Sequence, residues 1–258
     1  MLWWSGGTSA PIACTTQTTS SECRIGIATT VLAAGFTAGQ LEKLSKVPAI
    51  KYRVVATNRI TSSTDYTGTW VPSCFKSNNQ WKLSHNIKVS VISMYSASLY
   101  GQADGLLTAW RDNPSFAKYS ATLLYAPDKV TVRQVINQGS PTTNLYYLPP
   151  TSLSMDFSDV PFFMKAAYDS PALNQLHVLY RGQPQWKVKI KILGRYFVNF
   201  NLVTVLGLEP LEKLVPSPVV TAEEIKAAFV RCNEEGLPLF FSATQGGTKV
   251  EATLVSRR

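Results

Sequence analysis

The sequence predicts an all-β protein, a sandwich or a barrel built from many short strands. Three observations predict it. Segments with period-two alternation recur from Ile50 to Leu206, turn-forming residues separate most of them, and only two short helix signals occur in 258 residues. The clearest alternation is Trp186-Lys187-Val188-Lys189-Ile190-Lys191-Ile192. It places Trp186, Val188, Ile190 and Ile192 on one face and three lysines on the other. A strand of this kind sets one face on a core and the other on water or a partner. Lysines on such a strand also discourage edge pairing, the ordinary reading of the same pattern.

The elements divide into three regions. Residues 1–48 are small and polar, rich in Gly, Ala and Thr, and read as an extended N-terminal arm with one short helix. Thr37-Ala38-Gly39-Gln40 resembles a capping box, with Leu41 and Leu44 following at helical spacing. Residues 49–207 form the β body. Strands are expected over 50–60, 87–95, 106–110, 119–125, 130–136, 145–148, 152–163, 175–180, 186–192 and 196–206, with residues 61–79 as a polar loop. Gly101, Pro114, Gly139-Ser140-Pro141, Pro149-Pro150, Gly182 and Gly194 supply the breaks. Long connections favour Greek-key closure over simple hairpins. Residues 208–258 read as a C-terminal extension. Pro210, Pro216 and Pro218 make a linker, and Thr221-Ala222-Glu223-Glu224 is a capping box for a helix over about 222–234. Gly236 suits its C-terminal cap, and one or two short strands complete the tail.

Composition narrows the function classes. Charged residues are 16% of the chain, against roughly 25% in an average soluble domain. A low charge fraction fits a surface covered by partners. The net charge of +9 biases the protein toward polyanions, yet no run of five or more Lys and Arg forms a basic arm. Cys14, Cys23, Cys74 and Cys232 contain no CxxC pair, which argues against zinc. Cys14 and Cys23 could pair across a short loop or stay as free thiols. Met1-Leu2-Trp3-Trp4 lacks the basic start of a signal peptide, and no apolar run reaches the roughly 20 residues of a membrane helix. The expectation is a soluble intracellular chain.

Catalytic patterns are sparse. Two histidines, His85 and His177, are too few for a cupin-type metal site, and no metal or other cofactor is expected. Ser73-Cys74-Phe75-Lys76 and Ser115-Phe116-Ala117-Lys118 match S-x-x-K without companion motifs. Asp156 and Asp159, three apart on an expected strand, face opposite sides and make a poor carboxylate pair. The aromatics, Trp70, Trp81, Trp110, Tyr146, Tyr147, Trp186 and Tyr196 among them, read first as sheet core and second as a stacking platform. A hydrolase would need His85 or His177 beside a serine and a carboxylate in a cleft.

Three segments carry a resemblance. Phe157-Ser158-Asp159-Val160-Pro161-Phe162-Phe163-Met164-Lys165-Ala166-Ala167-Tyr168-Asp169 resembles the F-S-V-P-Y strand and following A-Y segment of picornavirus-like coat proteins. Tyr119 to Pro127 resembles the strand that ends in their Y-x-P-P turn, and Trp186 to Leu206 resembles their long last strand. Asp159 inside the F-S-V-P pattern, the missing P-R-P and the long C-terminal tail are departures that point to a divergent picorna-like virus.

The resemblance implies an eight-stranded jelly-roll sandwich of two facing four-stranded sheets over residues 49–207. It implies a structural capsid protein that assembles with copies and related coat proteins into an icosahedral shell around RNA, made in the host cytoplasm and located in the virion. Expected partners are other capsid subunits and RNA bound without sequence reading. No enzymatic activity and no membrane anchor are expected, and a carbohydrate-binding jelly-roll module is the alternative. Lys187, Lys189, Lys191 and Arg195 are the residues expected to face RNA or a partner. Removal of residues after Val215 is expected to leave a folded monomer that assembles poorly.

Overall fold

A computed structural model describes residues 38–47, 50–58, 63–90, 92–101, 105–113, 118–126, 129–148, 153–156, 158–170, 174–245 and 247–257. A first helix, α1, covers residues 38–45. The strands that follow are β1 (Ile50–Asn58), β2 (Ser63–Ser77), β3 (Gln80–Val89), β4 (Ile92–Gly101), β5 (Gly105–Asn113), β6 (Tyr119–Ala126), β7 (Lys129–Val135), β8 (Thr142–Tyr147) and β9 (Leu153–Asp156). After helix α2 (Val160–Asp169) come β10 (Gln175–Tyr180), β11 (Gln183–Val198) and β12 (Asn201–Lys213). Helix α3 (Ala222–Ala227) precedes β13 (Phe229–Cys232), β14 (Pro238–Gln245) and β15 (Thr248–Arg257).

All strands among the described residues belong to one sheet, in the order β8-β7-β6-β5-β4-β3-β2-β1-β15-β14-β13-β12-β11-β10-β9. Neighbours in the sheet are neighbours in the chain except where β15 pairs antiparallel with β1. β9 alone runs parallel to its partner β10. The expected all-β class holds, and the expected eight-stranded jelly roll does not. Tight turns are the physical reason. Asn78-Asn79, Ser90, Arg181-Gly182 and Asn199-Phe200 all have positive φ, the geometry that returns a chain directly onto its own strand. Residues 61–79, read as a loop, contribute the long strand β2 instead. Residues 87–95, read as one strand, are split at Ser90 between β3 and β4.

The sheet curls around α2. That helix buries Val160, Pro161, Phe162, Phe163, Met164 and Ala167. The Trp70 ring meets Phe162 edge-on at 5.5 Å between centroids, and Tyr100 meets Phe163 at 5.8 Å. Strands β11, β13 and β14 pack against the same helix. The main core therefore joins β1–β4 to β10–β15 through α2. A second, smaller core joins Tyr119, Ala121 and Leu123 of β6 and Val130 and Val132 of β7 to Leu179 of β10. The two ends of the sheet are thus brought together by side chains rather than by a ladder, and the barrel stays open. Gly182, at φ +78°, sits at this junction, where a Cβ would lie 2.7 Å from Leu123 and 2.8 Å from Val132.

The three-region division also changes. A boundary at 208 falls inside β12, and β13–β15 fill the sheet between β12 and β1. The expected helix over 222–234 is a helix only to Ala227. Thr221 caps it as expected, with its hydroxyl accepting from the Glu224 N–H at 3.2 Å and the Glu224 carboxylate accepting from the Thr221 N–H at 2.8 Å. Phe229 to Cys232 then turn to strand, because the open edge of β12 takes Val230 and Cys232 opposite Leu206 and Thr204. In the arm, α1 lies within the described residues. Residues 1–37, with Cys14, Cys23 and the proposed cap Thr37, lie outside them.

Candidate functional site: a buried carboxylate beside an apolar cleft

Asp159 stands at the N-cap of α2, a position where its side chain would ordinarily accept from the first turn. It makes no such cap bond. The carboxylate points into the sheet instead. His85 Nε2 lies 2.8 Å from Oδ1, while the Ser98 and Tyr100 hydroxyls donate to Oδ2 at 2.7 and 2.6 Å. Trp70 Nε1–H donates to His85 Nδ1 at 3.2 Å. That donor requires an unprotonated Nδ1, so the ring is the neutral Nε2–H tautomer and donates to Asp159. Phe162 stacks on the other side of the imidazole at 5.6 Å. Burial by itself would raise the Asp159 pKa. The hydrogen bonds from His85 and Tyr100 and the Arg111 charge outweigh it and hold the carboxyl below its ordinary 3.8.

A serine, a histidine and a carboxylate have come together here, the combination a hydrolase on this scaffold would need. Their order is wrong for nucleophilic catalysis. Ser98 donates to the carboxylate rather than to the imidazole, and the second imidazole nitrogen is taken by Trp70. His85, Ser98 and Asp159 are also fully buried. The cluster acts as a strut that ties α2 to β2, β3 and β4. The other histidine, His177, lies on β10 opposite Lys187. Burial first, and then the Lys187 charge, lowers its pKa to about 4.

An apolar cleft of about 210 Å³ opens on the far side of Phe162. α1 roofs it with Leu44, followed by Val47. Its walls are Ile50 from β1, Pro72, Ser73 and Cys74 from β2, and Leu83 from β3. Three polar ties hold the roof. Gln40 Nε2 donates to the Phe162 carbonyl at 3.0 Å, the Cys74 thiol to the Leu41 carbonyl at 3.4 Å, and Lys76 Nζ to Glu42 at 2.9 Å. Burial pushes the Cys74 thiol up to about 12, so it is a polarizable wall rather than a nucleophile. Both residues of the first S-x-x-K match are engaged elsewhere, Ser73 with Ser84 at 2.7 Å and Lys76 with Glu42. In the second match, Ser115 lies outside the described residues.

The alternation on β11 holds as far as Ile190, while Ile192, read on the buried face, is exposed. Trp186, Val188 and Ile190 are buried, Lys187 is half-buried, and Lys189 and Lys191 are exposed. Lys187 and Lys189 face Glu212 and Glu209 across the ladder. Arg195 is exposed but does not share their face. The register shifts between Ile192 and Gly194, so that Ile192 pairs with Leu206, Gly194 with Val205 and Arg195 with Thr204. This bulge moves Gly194, Tyr196 and Val198 to the lysine side and Arg195 and Phe197 to the Trp186 side. No break occurs at Gly194, where the sequence suggested one. β11 continues to Val198 and turns at Asn199-Phe200.

No family model matches the chain, and no curated protein matches it. It is similar to a beta-barrel-like protein of domain of unknown function DUF1849 from Brucella abortus, at 8% identity and a TM-score of 0.42, covering 81% of this chain and 96% of that one. It is also similar to the lipoprotein LppX of Mycobacterium tuberculosis, at 8% identity and a TM-score of 0.25, covering 92% and 95%. A putative outer membrane lipoprotein-sorting protein domain from Vibrio parahaemolyticus gives 9% identity and a TM-score of 0.23, covering 87% and 91%. The coat-protein function and the virion location are overturned by these findings. These three solved chains are bacterial, and none of them is a coat protein. The architecture agrees with the correction, since Val160–Asp169 of the resembling segment is a largely buried helix and not a sandwich strand. The carbohydrate-binding jelly-roll alternative falls with the jelly roll.

Proposed function

We propose that this chain is a non-catalytic binding protein whose cleft beneath α1 takes a small apolar group, such as a ring or a short acyl segment. One observation carries the reading: the cleft walls are Leu44, Val47, Ile50, Pro72, Leu83 and Phe162, with Ser73 and Cys74 as the only polar side chains lining it among the described residues. A dry apolar cavity of ~150 Å³ already admits benzene, and this one is about 210 Å³. His85 and Asp159 lie behind Phe162 and are used up in holding the floor. The roof is a short helix held by three polar ties and by Leu41 and Leu44, which belong to the main core.

The test is calorimetric titration of the full chain with decanoate and with benzene. Saturable binding is expected for the wild type. Val47→Trp fills the cleft from the half-buried mouth and is expected to weaken binding by about tenfold or more while leaving the melting temperature little changed. Equal binding by wild type and variant would contradict the assignment.

A further inference from the structure

The β11–β12 hairpin carries a second surface, unrelated to the cleft. β10 pairs with β11 only as far as Lys189, and β13 pairs with β12 only over Thr204–Gly207. From Tyr196 to Val203 the two strands therefore pair only with each other. This free end is apolar on both faces. Leu193, Tyr196 and Val198 stand on one side, Phe197 on the other, and all are exposed. Phe197 is 74% exposed and Phe200, at the turn, 102%. A strand that serves only a core needs one apolar face, and exposed clusters of this kind mark contact surfaces.

The turn itself points the same way. Asn199 and Phe200 both have positive φ, at 48° and 63°, a pair of positions that favours Asn followed by Gly. The β2–β3 turn meets that demand with Asn78-Asn79 and the β10–β11 turn with Arg181-Gly182. A bulky phenylalanine held left-handed and fully in solvent adds nothing to the stability of the hairpin, so strain is kept for a use elsewhere.

Charge selects the partner. No Asp or Glu occurs between Asp169 and Glu209, while Arg181, Lys187, Lys189, Lys191 and Arg195 fall in that interval. Lys191 and Arg195 follow the apolar tip on opposite faces and have Gly207 and Thr204, not acids, across the ladder. An aromatic point with a cationic collar is complementary to an anionic lipid surface. Its rings enter the headgroup boundary while Lys and Arg stay with the phosphates. A narrow two-stranded tip also offers far less area than the ~800 Å² each partner contributes to a standard protein interface. We propose that the β11–β12 hairpin docks this protein on anionic membranes, with Phe197 and Phe200 inserting and Lys191 and Arg195 binding phosphate groups.

The test is co-sedimentation of the full chain with phosphatidylglycerol–phosphatidylcholine vesicles and with pure phosphatidylcholine vesicles. The wild type is expected to pellet with the anionic vesicles and much less with the neutral ones. The double variant Phe197→Ser with Phe200→Gly is expected to lose about tenfold or more of that partitioning. Lys191→Glu with Arg195→Glu is expected to abolish the preference for anionic lipid. Phe200→Gly alone is expected to bind more weakly yet melt no lower than the wild type, which separates docking from folding. Retention of binding by the double variant, or wild-type protein left in the supernatant with both vesicles, would overturn the proposal. So would a wild-type dimer in light scattering that the double variant dissolves, since a second copy would then be the occupant.

Discussion

Asp159 is the residue on which the interior depends most. Its carboxylate accepts from three side chains on two strands and so joins a helix to a sheet. Asp159→Ala strands those donors in a dry core and is expected to cost about 3 kcal/mol or more in urea unfolding. The pH dependence has a definite sign. The folded pKa lies below the ordinary 3.8, so the bond contributes fully above that value and is lost as the pH falls through the lower folded pKa. His177 acts in a neighbouring window. Its pKa falls from 6.5 to about 4 on folding, so the unfolded chain binds the extra proton and stability declines as the pH drops from 6.5 toward 4. Thermal melts of His177→Gln are expected to show a flatter slope across that window than the wild type. The residue types were visible in the sequence, but their meeting was not. His85 and Asp159 are 74 positions apart, and Asp159 was read on a strand, which left its side chain with the wrong neighbours.

At the scale of elements, alternation was legible in several strands with one face buried and the other wet. β1, β6 and β7 have that pattern, and so does β11 as far as Ile190, while β3 has it too but was read only from Ile87 onward. It failed where tertiary context decides. Val160-Pro161-Phe162-Phe163 is as apolar as a strand, and it becomes helical because the curled sheet encloses it on several sides, which only a helix apolar over most of its surface can fill. β2 was missed because its Thr, Ser, Lys and Gly composition reads as a loop. The hairpin finger was missed because Gly194 looked like a break. The absence of acids from Ser170 to Leu208 was the available signal. Gly182 illustrates the opposite case, a break read correctly whose importance is tertiary. Gly182→Ala adds a methyl against Leu123 and Val132 at positive φ and is expected to cost about 2–4 kcal/mol, read as a lower urea midpoint with an unchanged slope.

For the whole molecule, the decisive fact is that β1 and β15, the first and last strands of the described residues, are partners. β15 pairs with β1 along nine residue pairs, from Ile50↔Arg257 to Asn58↔Thr248. The C-terminal residues are consequently the middle of the sheet and not an extension. Removing everything after Val215 takes away α3 and β13–β15 and parts the sheet into two exposed halves. Such a chain is expected to lose its cooperative melt in circular dichroism, in contrast to the folded monomer that the sequence alone implied. The same continuity places the cleft where β1, β2 and β3 meet α1, while the lipid-seeking hairpin belongs to β11 and β12. The two surfaces can therefore be probed separately. The most direct measurement is methyl NMR of the full chain during titration with decanoate. Saturable shifts confined to Leu44, Val47, Ile50 and Leu83, and absent in Val47→Trp, are the result this account predicts. Shifts limited to Leu193, Val198 and Leu202 at the hairpin, or no saturable shift at all, would contradict it.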